Sequence, residues 1–171
     1  MPYSIDLIAD IIKAKRIGST NYSIEWLLTD SRSLCFPEET LFFALVTTRN
    51  SGAAYIENLY NRGVRNFVVS SREEVLNRIA NEHAFPKANF LVVASPLYAL
   101  QKLAEKHREQ FDIPVVGITG SNGKTIVKEW IHHIVSPGKV VVRSPRSYNS
   151  QIGVPLSVWQ LEERSEVAIF E

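Results

Sequence analysis

One stretch constrains the fold more than any other: Pro114-Val115-Val116-Gly117-Ile118-Thr119-Gly120-Ser121-Asn122-Gly123-Lys124-Thr125. An apolar strand enters a glycine-rich turn, and a helix leaves it. Glycines at 117, 120 and 123 let the backbone turn tightly and aim successive N–H groups inward. The helix N-terminus adds positive partial charge, which favours bound phosphate. Lys124 supplies a cation for β- and γ-phosphates, and the Thr125 hydroxyl can ligate Mg2+. The general pattern G-x-x-x-x-G-K-[ST] asks for glycine at position 118, where this chain has Ile118; its own pattern is T-G-x-x-G-K-T with an extra glycine at 117. A plain glycine turn with an exposed lysine is the competing reading. Strand, loop, Gly-Lys-Thr and helix in this order favour an ATP loop, with Thr119, Gly120, Ser121, Asn122, Gly123, Lys124 and Thr125 as nucleotide contacts. Such a loop implies nucleotide binding and names no reaction, since kinases, ATPases, GTPases and ligases all use one.

The loop sits in an alternation of strands and helices. Ser4 can cap a helix whose face carries Ile5, Ile8, Ile11 and Ile12. Strands are predicted at Ile24–Leu28, Thr40–Leu45, Asn66–Val69 and Asn89–Val93. Helices are predicted from Asn50-Ser51-Gly52 to about Arg62, with Gly63 as its cap, and over Arg72–Ala80. Ser95-Pro96 opens a longer helix that ends near Phe111. Asp112-Ile113-Pro114 reads as a seam. Beyond it lie a strand at Val115–Ile118, a helix over Lys124–Val135, a strand at Lys139–Val142, a short helix over Gly153–Leu161 and a last strand at Val167–Phe170. The expectation is an α/β protein with parallel pairing: a small N-terminal α/β domain over 1–111, then the start of a P-loop α/β ATP-binding domain over 112–171. The close on Val167–Glu171, a buried-strand pattern, reads as a truncated domain.

Composition excludes several classes. Among 171 residues the formal net charge is +1, with basic and acidic residues interspersed, so no basic stripe offers itself to nucleic acid or anionic lipid. No stretch approaches the ~20 apolar residues that span a bilayer, and the N-terminus lacks a signal-peptide pattern. The single cysteine, Cys35, cannot form an internal disulfide, which fits a reducing, cytoplasmic setting; it reads as a small buried or half-buried residue. His132 and His133 are adjacent on a helix and point ~100° apart, so they do not share a metal easily. Trp26, Trp130 and Trp159 read as packing residues.

Gly-Ile-Thr-Gly-Ser-Asn-Gly-Lys-Thr at 117–125 resembles the ATP loop of the Mur ligases, which extend the peptide of UDP-linked muramyl precursors; folylpolyglutamate synthases are similar there. Two further stretches favour the Mur family. Thr29-Asp30-Ser31-Arg32 followed by Thr40–Leu45 resembles its N-terminal "DSR … LFFAL" segment, and Tyr148–Pro155 is similar to the "NN-x-IGVP" stretch of members that add D-Ala-D-Ala. Val167–Glu171 resembles the family strand that ends in a Mg2+-binding glutamate.

The resemblance implies ATP and Mg2+ as cofactors, UDP-MurNAc-tripeptide and D-Ala-D-Ala as substrates, and a monomer. Ser31, with Thr48, Arg49 and Asn50 close by, would contact the UDP moiety; Asn149 would contact substrate or phosphate; Thr125 and Glu171 would hold the metal. Against these roles stand a turn-forming Ser31, a turn-forming Asn149 and a Glu171 that merely ends a strand, while Arg32 divides evenly between a structural salt bridge and a substrate contact. Relatives often carry Asp-Gly-His near position 52, where this chain has Ser51-Gly52-Ala53. The wording of Leu27–Phe43 resembles a form fused to an alanine racemase. The family's carbamylated lysine and further metal ligands would lie beyond Glu171, so the 171 residues are expected to be inactive alone. Alternatives are a ligase adding meso-diaminopimelate or lysine, a non-catalytic nucleotide-binding module, or a small-molecule kinase.

Overall fold

The computed structural model describes residues 2–46, 51–72, 75–79, 84–145 and 148–171. The chain falls into two compact units, 1–100 and 101–171.

The first unit contains β1 (Tyr3–Ser4), α1 (Ile5–Ile11), β2 (Lys15–Ile17), β3 (Ser23–Ile24), β4 (Trp26–Leu28), β5 (Thr40–Phe43), α2 (Ile56–Asn61), β6 (Asn66–Ser70), α3 (Val75–Ile79) and β7 (Asn89–Val93). It ends in the first turns of α4 (Pro96–Arg108). The Ser4 side chain accepts the Leu7 N–H at 3.2 Å and starts α1. A five-stranded sheet runs in the order β2-β7-β6-β5-β4. Four of its strands are parallel and β2 is antiparallel to β7. Helical crossovers join β5 to β6 and β6 to β7, as parallel neighbours require.

Every residue of β5 and β6 is buried, which explains why both strands read as unbroken apolar runs. The register sets Phe42 beside Phe67 and Phe67 beside Phe90. Their rings form a row through the core: Phe67 stacks on Phe90 at 5.2 Å, and Phe42 meets Phe67 edge-on at 6.4 Å. At the strand starts Asn66 faces Asn89. The Asn89 amide donates to Asn66 Oδ1 at 2.9 Å and to the Thr20 carbonyl at 2.8 Å, while Arg16 of β2 donates to Asn89 Oδ1. This polar knot fastens the edge strand β2. The short Lys15–Ile17 segment carries no apolar run to announce it as a strand; it pairs because β7 presents an open edge.

The second unit takes up α4 from Gln101 and adds β8 (Val115–Gly117), α5 (Lys124–Val135), β9 (Val141–Arg143), α6 (Gly153–Val158) and β10 (Val167–Phe170). Its sheet is parallel, in the order β8-β10-β9. Phe111, Leu161, Ala168 and Phe170 form the core. His107 of α4 is buried against Phe111 and Trp159, with Nε2 3.0 Å from the Leu161 carbonyl. A carbonyl only accepts, so Nε2 carries the proton and the ring donates.

Two packing expectations change. Trp130 is 68% exposed, and with Ile126, Val127 and Ile134 it leaves the apolar side of α5 open, while Lys128 on the polar side is fully buried. Trp26 is half exposed but stacks on Phe36 at 5.1 Å. Cys35 is exposed rather than buried.

Candidate functional site

Parallel pairing builds the site. Gly117, the last residue of β8, lies beside Phe170, the last residue of β10, and the Ile118 N–H donates to the Phe170 carbonyl at 2.8 Å. Both strands therefore end at the same edge, the C-terminal edge where open α/β sheets bind ligands. The phosphate-loop segment leaves that edge at Ile118 and Glu171 leaves it next door. Gly120 has φ +147° and Gly123 φ +77°, conformations that side chains rarely adopt, and open space surrounds the Cβ position at Gly123. These glycines are needed for backbone shape, not for want of room.

The loop leads directly into α5. Thr119, Gly120, Ser121, Asn122 and Gly123 are exposed. Lys124 and Thr125 start α5. The Lys124 ammonium donates to the Gly120 carbonyl at 2.6 Å, so the cation is folded back onto its own loop. The Thr125 hydroxyl donates to Glu171 Oε1 at 3.0 Å, and the exposed Asn149 donates its amide to the same oxygen at 3.3 Å. Thr125, Asn149 and Glu171, far apart in sequence, thus meet at one carboxylate oxygen.

Behind them lies an ionic row that sequence reasoning missed. Glu171 Oε2 is buried without a hydrogen bond and has the Lys128 ammonium 3.5 Å away, both side chains being fully buried. Lys128 also lies 3.6 Å from Glu129 Oε1, and Glu129 pairs with Arg143 of β9. The signal was available: Thr125 and Lys128 are three residues apart and share a helix face, so a residue facing Glu171 implies that the next one does too.

The donor chemistry fits a small hard cation. A hydroxyl and one carboxylate oxygen at the mouth of a phosphate loop are the sparse oxygen set that Mg2+ uses when phosphates and waters complete its shell. Among the described residues, no group of three or more His, Cys, Asp or Glu side chains could hold a metal by itself.

In the first unit Ser31 begins a single 3-10 turn, Ser31–Ser33, and its carbonyl accepts from Arg62 at 2.7 Å. Asp30 caps that turn and takes the Arg32 guanidinium at 2.6 Å. The Arg32 side-chain hydrogen bond, followed by the Arg32 backbone N–H, holds the Asp30 carboxyl down at about 2. Arg32 is accordingly engaged in a local ion pair. Thr48, Arg49 and Asn50 lie outside the described residues. A groove of about 480 Å³ opens at the C-terminal ends of β6 and β7, lined by Val46, Ser70, Arg72 and Ala94–Leu97.

A strand, a glycine loop and a helix opening on Lys-Thr beside a parallel strand that ends in glutamate define a P-loop α/β protein. The Mur ligase middle domain family matches residues 118–171, from the phosphate loop to the glutamate. Over nearly the whole chain the similarity extends to the UDP-N-acetylmuramoyl-tripeptide–D-alanyl-D-alanine ligases. That of Haemophilus influenzae is 31% identical over 168 residues, 96% of this chain and 34% of the relative. That of Bacillus subtilis is 32% identical over 167 residues, with the same coverage of 96% and 34%. A crystal structure of MurF from Acinetobacter baumannii matches 100% of this chain and 36% of its own at a TM-score of 0.83 and 24% identity, a likeness of fold. MurF from Thermotoga maritima, solved in complex with ADP, covers 86% of this chain and 31% of its own at a TM-score of 0.68 and 25% identity. The chain belongs to the Mur ligase family, and it spans about a third of the length of the relatives it matches.

Proposed function

We propose that this chain is the substrate-gripping front and the opening of the ATP unit of a cytoplasmic, monomeric ligase that joins D-Ala-D-Ala to UDP-MurNAc-tripeptide. The observation that carries the reading is the meeting of Thr125, Asn149 and Glu171 at the mouth of the glycine loop. The substrate named for the relatives and the ADP held by the Thermotoga maritima protein support the choice of ligands.

In this reading residues 1–111 bind the UDP handle through Ser31 and the segment Thr48–Asn50, and the groove beyond β6 and β7 lies at the sheet edge suited to it. Residues 112–171 hold ATP. Loop N–H groups and Lys124 neutralise charge that develops on the transferring phosphoryl group. Thr125 and Glu171 would hold Mg2+, which would act as a Lewis acid toward the phosphates. Asn149 orients the Glu171 carboxylate or a phosphate oxygen. The tripeptide carboxylate oxygen attacks the γ-phosphorus and ADP leaves; the D-Ala-D-Ala amine then attacks the acyl carbon, forms the amide, loses its proton and expels phosphate. Binding energy from the remote UDP handle positions the carboxylate for this attack. By themselves the 171 residues are proposed to bind nucleotide without turning it over. No helix among the described residues is long and apolar enough to cross a membrane.

The test is ADP release by the full-length protein with Mg-ATP and UDP-MurNAc-tripeptide, with and without D-Ala-D-Ala, beside Lys124→Ala. Release that requires both substrates and Lys124 supports the proposal. Release that needs neither substrate, or that survives the loss of Lys124, rejects it. Replacement of D-Ala-D-Ala by meso-diaminopimelate or lysine separates the other ligases of the family.

A further inference from the structure

We infer that Lys128 is a specificity-determining residue: by holding its buried ammonium beside one oxygen of Glu171 it restricts that carboxylate to one-oxygen coordination and so favours Mg2+ over Ca2+. The inference rests on the proposed metal role of Glu171 and extends it to the buried lysine beside that carboxylate.

The two oxygens of Glu171 have different surroundings. Oε1 faces the Thr125 hydroxyl at 3.0 Å and the Asn149 amide at 3.3 Å, on the side of the phosphate loop. Oε2 faces inward, buried, with the Lys128 ammonium at 3.5 Å. Lys128 is itself fully buried on α5, and Glu129, 3.6 Å away, keeps it from being an isolated cation. Arg143 on β9 anchors Glu129 in turn, so two elements of the sheet-and-helix unit fix the ammonium in place. The Glu171 main chain is also tethered, its N–H donating to Ser144 Oγ at 3.4 Å. For Glu171 to present both oxygens to a cation at the loop mouth, the carboxylate would have to rotate Oε2 away from a buried positive charge.

That constraint discriminates between cations. Mg2+ demands near-octahedral geometry and takes one oxygen from each carboxylate. Ca2+ is larger, accepts six to eight ligands and readily takes both oxygens. A nearby ammonium also repels any dication, but this repulsion is nearly the same for two ions of equal charge. It therefore cancels in the ratio of their affinities, whereas the number of available oxygens does not.

The experiment uses the full-length protein with ADP. Bound Mn2+ is followed by electron paramagnetic resonance and displaced by Mg2+ or by Ca2+, in wild type, Lys128→Met and Glu171→Gln. The expected result is that K128M shifts the ratio of Ca2+ to Mg2+ affinity toward Ca2+ by more than about twofold, because a freed second carboxylate oxygen suits the larger ion, whatever happens to the two absolute affinities. A ratio unchanged within twofold while E171Q weakens Mn2+ binding overturns the inference about Lys128 and leaves the metal role of Glu171 standing. Wild-type Mn2+ binding in E171Q removes that metal role itself. A crystal structure of the wild-type Mg-ADP complex decides the matter even where K128M does not fold. One-oxygen coordination through Oε1 with Lys128 on Oε2 is expected. Coordination through both oxygens, or Lys128 turned to another acceptor, overturns the inference.

Discussion

His107 offers a clear test of how the second unit is held together. It is 2% exposed, donates from Nε2 to the Leu161 carbonyl at 3.0 Å, and lies against the rings of Trp159 at 4.6 Å and Phe111 at 5.0 Å. Burial pushes its pKa below the ordinary value, and the Leu161 carbonyl offsets this only in part. The sign follows from proton counting. Below about pH 6.5 the unfolded chain takes up a proton that the folded chain still refuses. Stability attributable to this group is therefore intact above that pH and declines below it, by up to about 1.4 kcal/mol per pH unit, until the folded-state pKa is reached. His107→Gln can keep a donor toward Leu161 but cannot titrate, so its slope in this range should be flatter than wild type. His107→Leu leaves the Leu161 carbonyl unsatisfied in the core and should cost about 1–3 kcal/mol at neutral pH. Urea unfolding at a series of pH values from about 5 to about 8, read by tryptophan fluorescence, measures both effects. Equal slopes in wild type and H107Q, or an imidazole that titrates at or above its free value by NMR, would refute the reasoning.

The remaining predictions concern the site and the core. Thr125→Val removes a charge-assisted hydrogen bond to Glu171, and a double-mutant cycle with Glu171→Gln should give a coupling of about 1.5–3 kcal/mol by urea denaturation; a coupling near zero would mean that the contact has no energetic weight. Phe67→Ala opens the centre of the aromatic row in a fully buried strand and should destabilise the first unit by about 3–5 kcal/mol in the same assay, far more than an exposed substitution. Asp30 is held down by Arg32, so the stabilisation from that pair is present above the ordinary carboxylate value and fades as pH falls through about 2. Because the pair is exposed and screened, the clearest readout is NMR titration of the Asp30 carboxyl, which should move up toward its free value in Arg32→Ala.

Much of the architecture was legible because local patterns and tertiary demands agree. The strands Asn89–Val93 and Val167–Phe170 and the helix Lys124–Val135 fall where unbroken apolar runs, a glycine turn and helical spacing place them. Short polar strands were not legible. Lys15–Ile17 depends on an open edge of β7, and the strand predicted over Lys139–Val142 is shifted to Val141–Arg143 by the register of its partner β10. Within the site, Lys124 and Thr125 were evident from the motif alone, whereas Lys128 carries no motif, and its apolar-side neighbours suggest the opposite orientation for α5.

The amino-acid order by itself determined the alternation of strands and helices, the glycine loop and the chemistry available at it, because these depend on neighbours within one helical turn or one strand. Only the tertiary structure decided that α5 turns its charged side inward and leaves Ile126, Trp130 and Ile134 exposed. Only it decided that one oxygen of Glu171 meets Thr125 and Asn149 while the other is claimed by Lys128. The reason is parallel registration: β8 and β10 end side by side, so residues such as Gly117 and Phe170, more than fifty positions apart, become neighbours, a relation that no local pattern encodes.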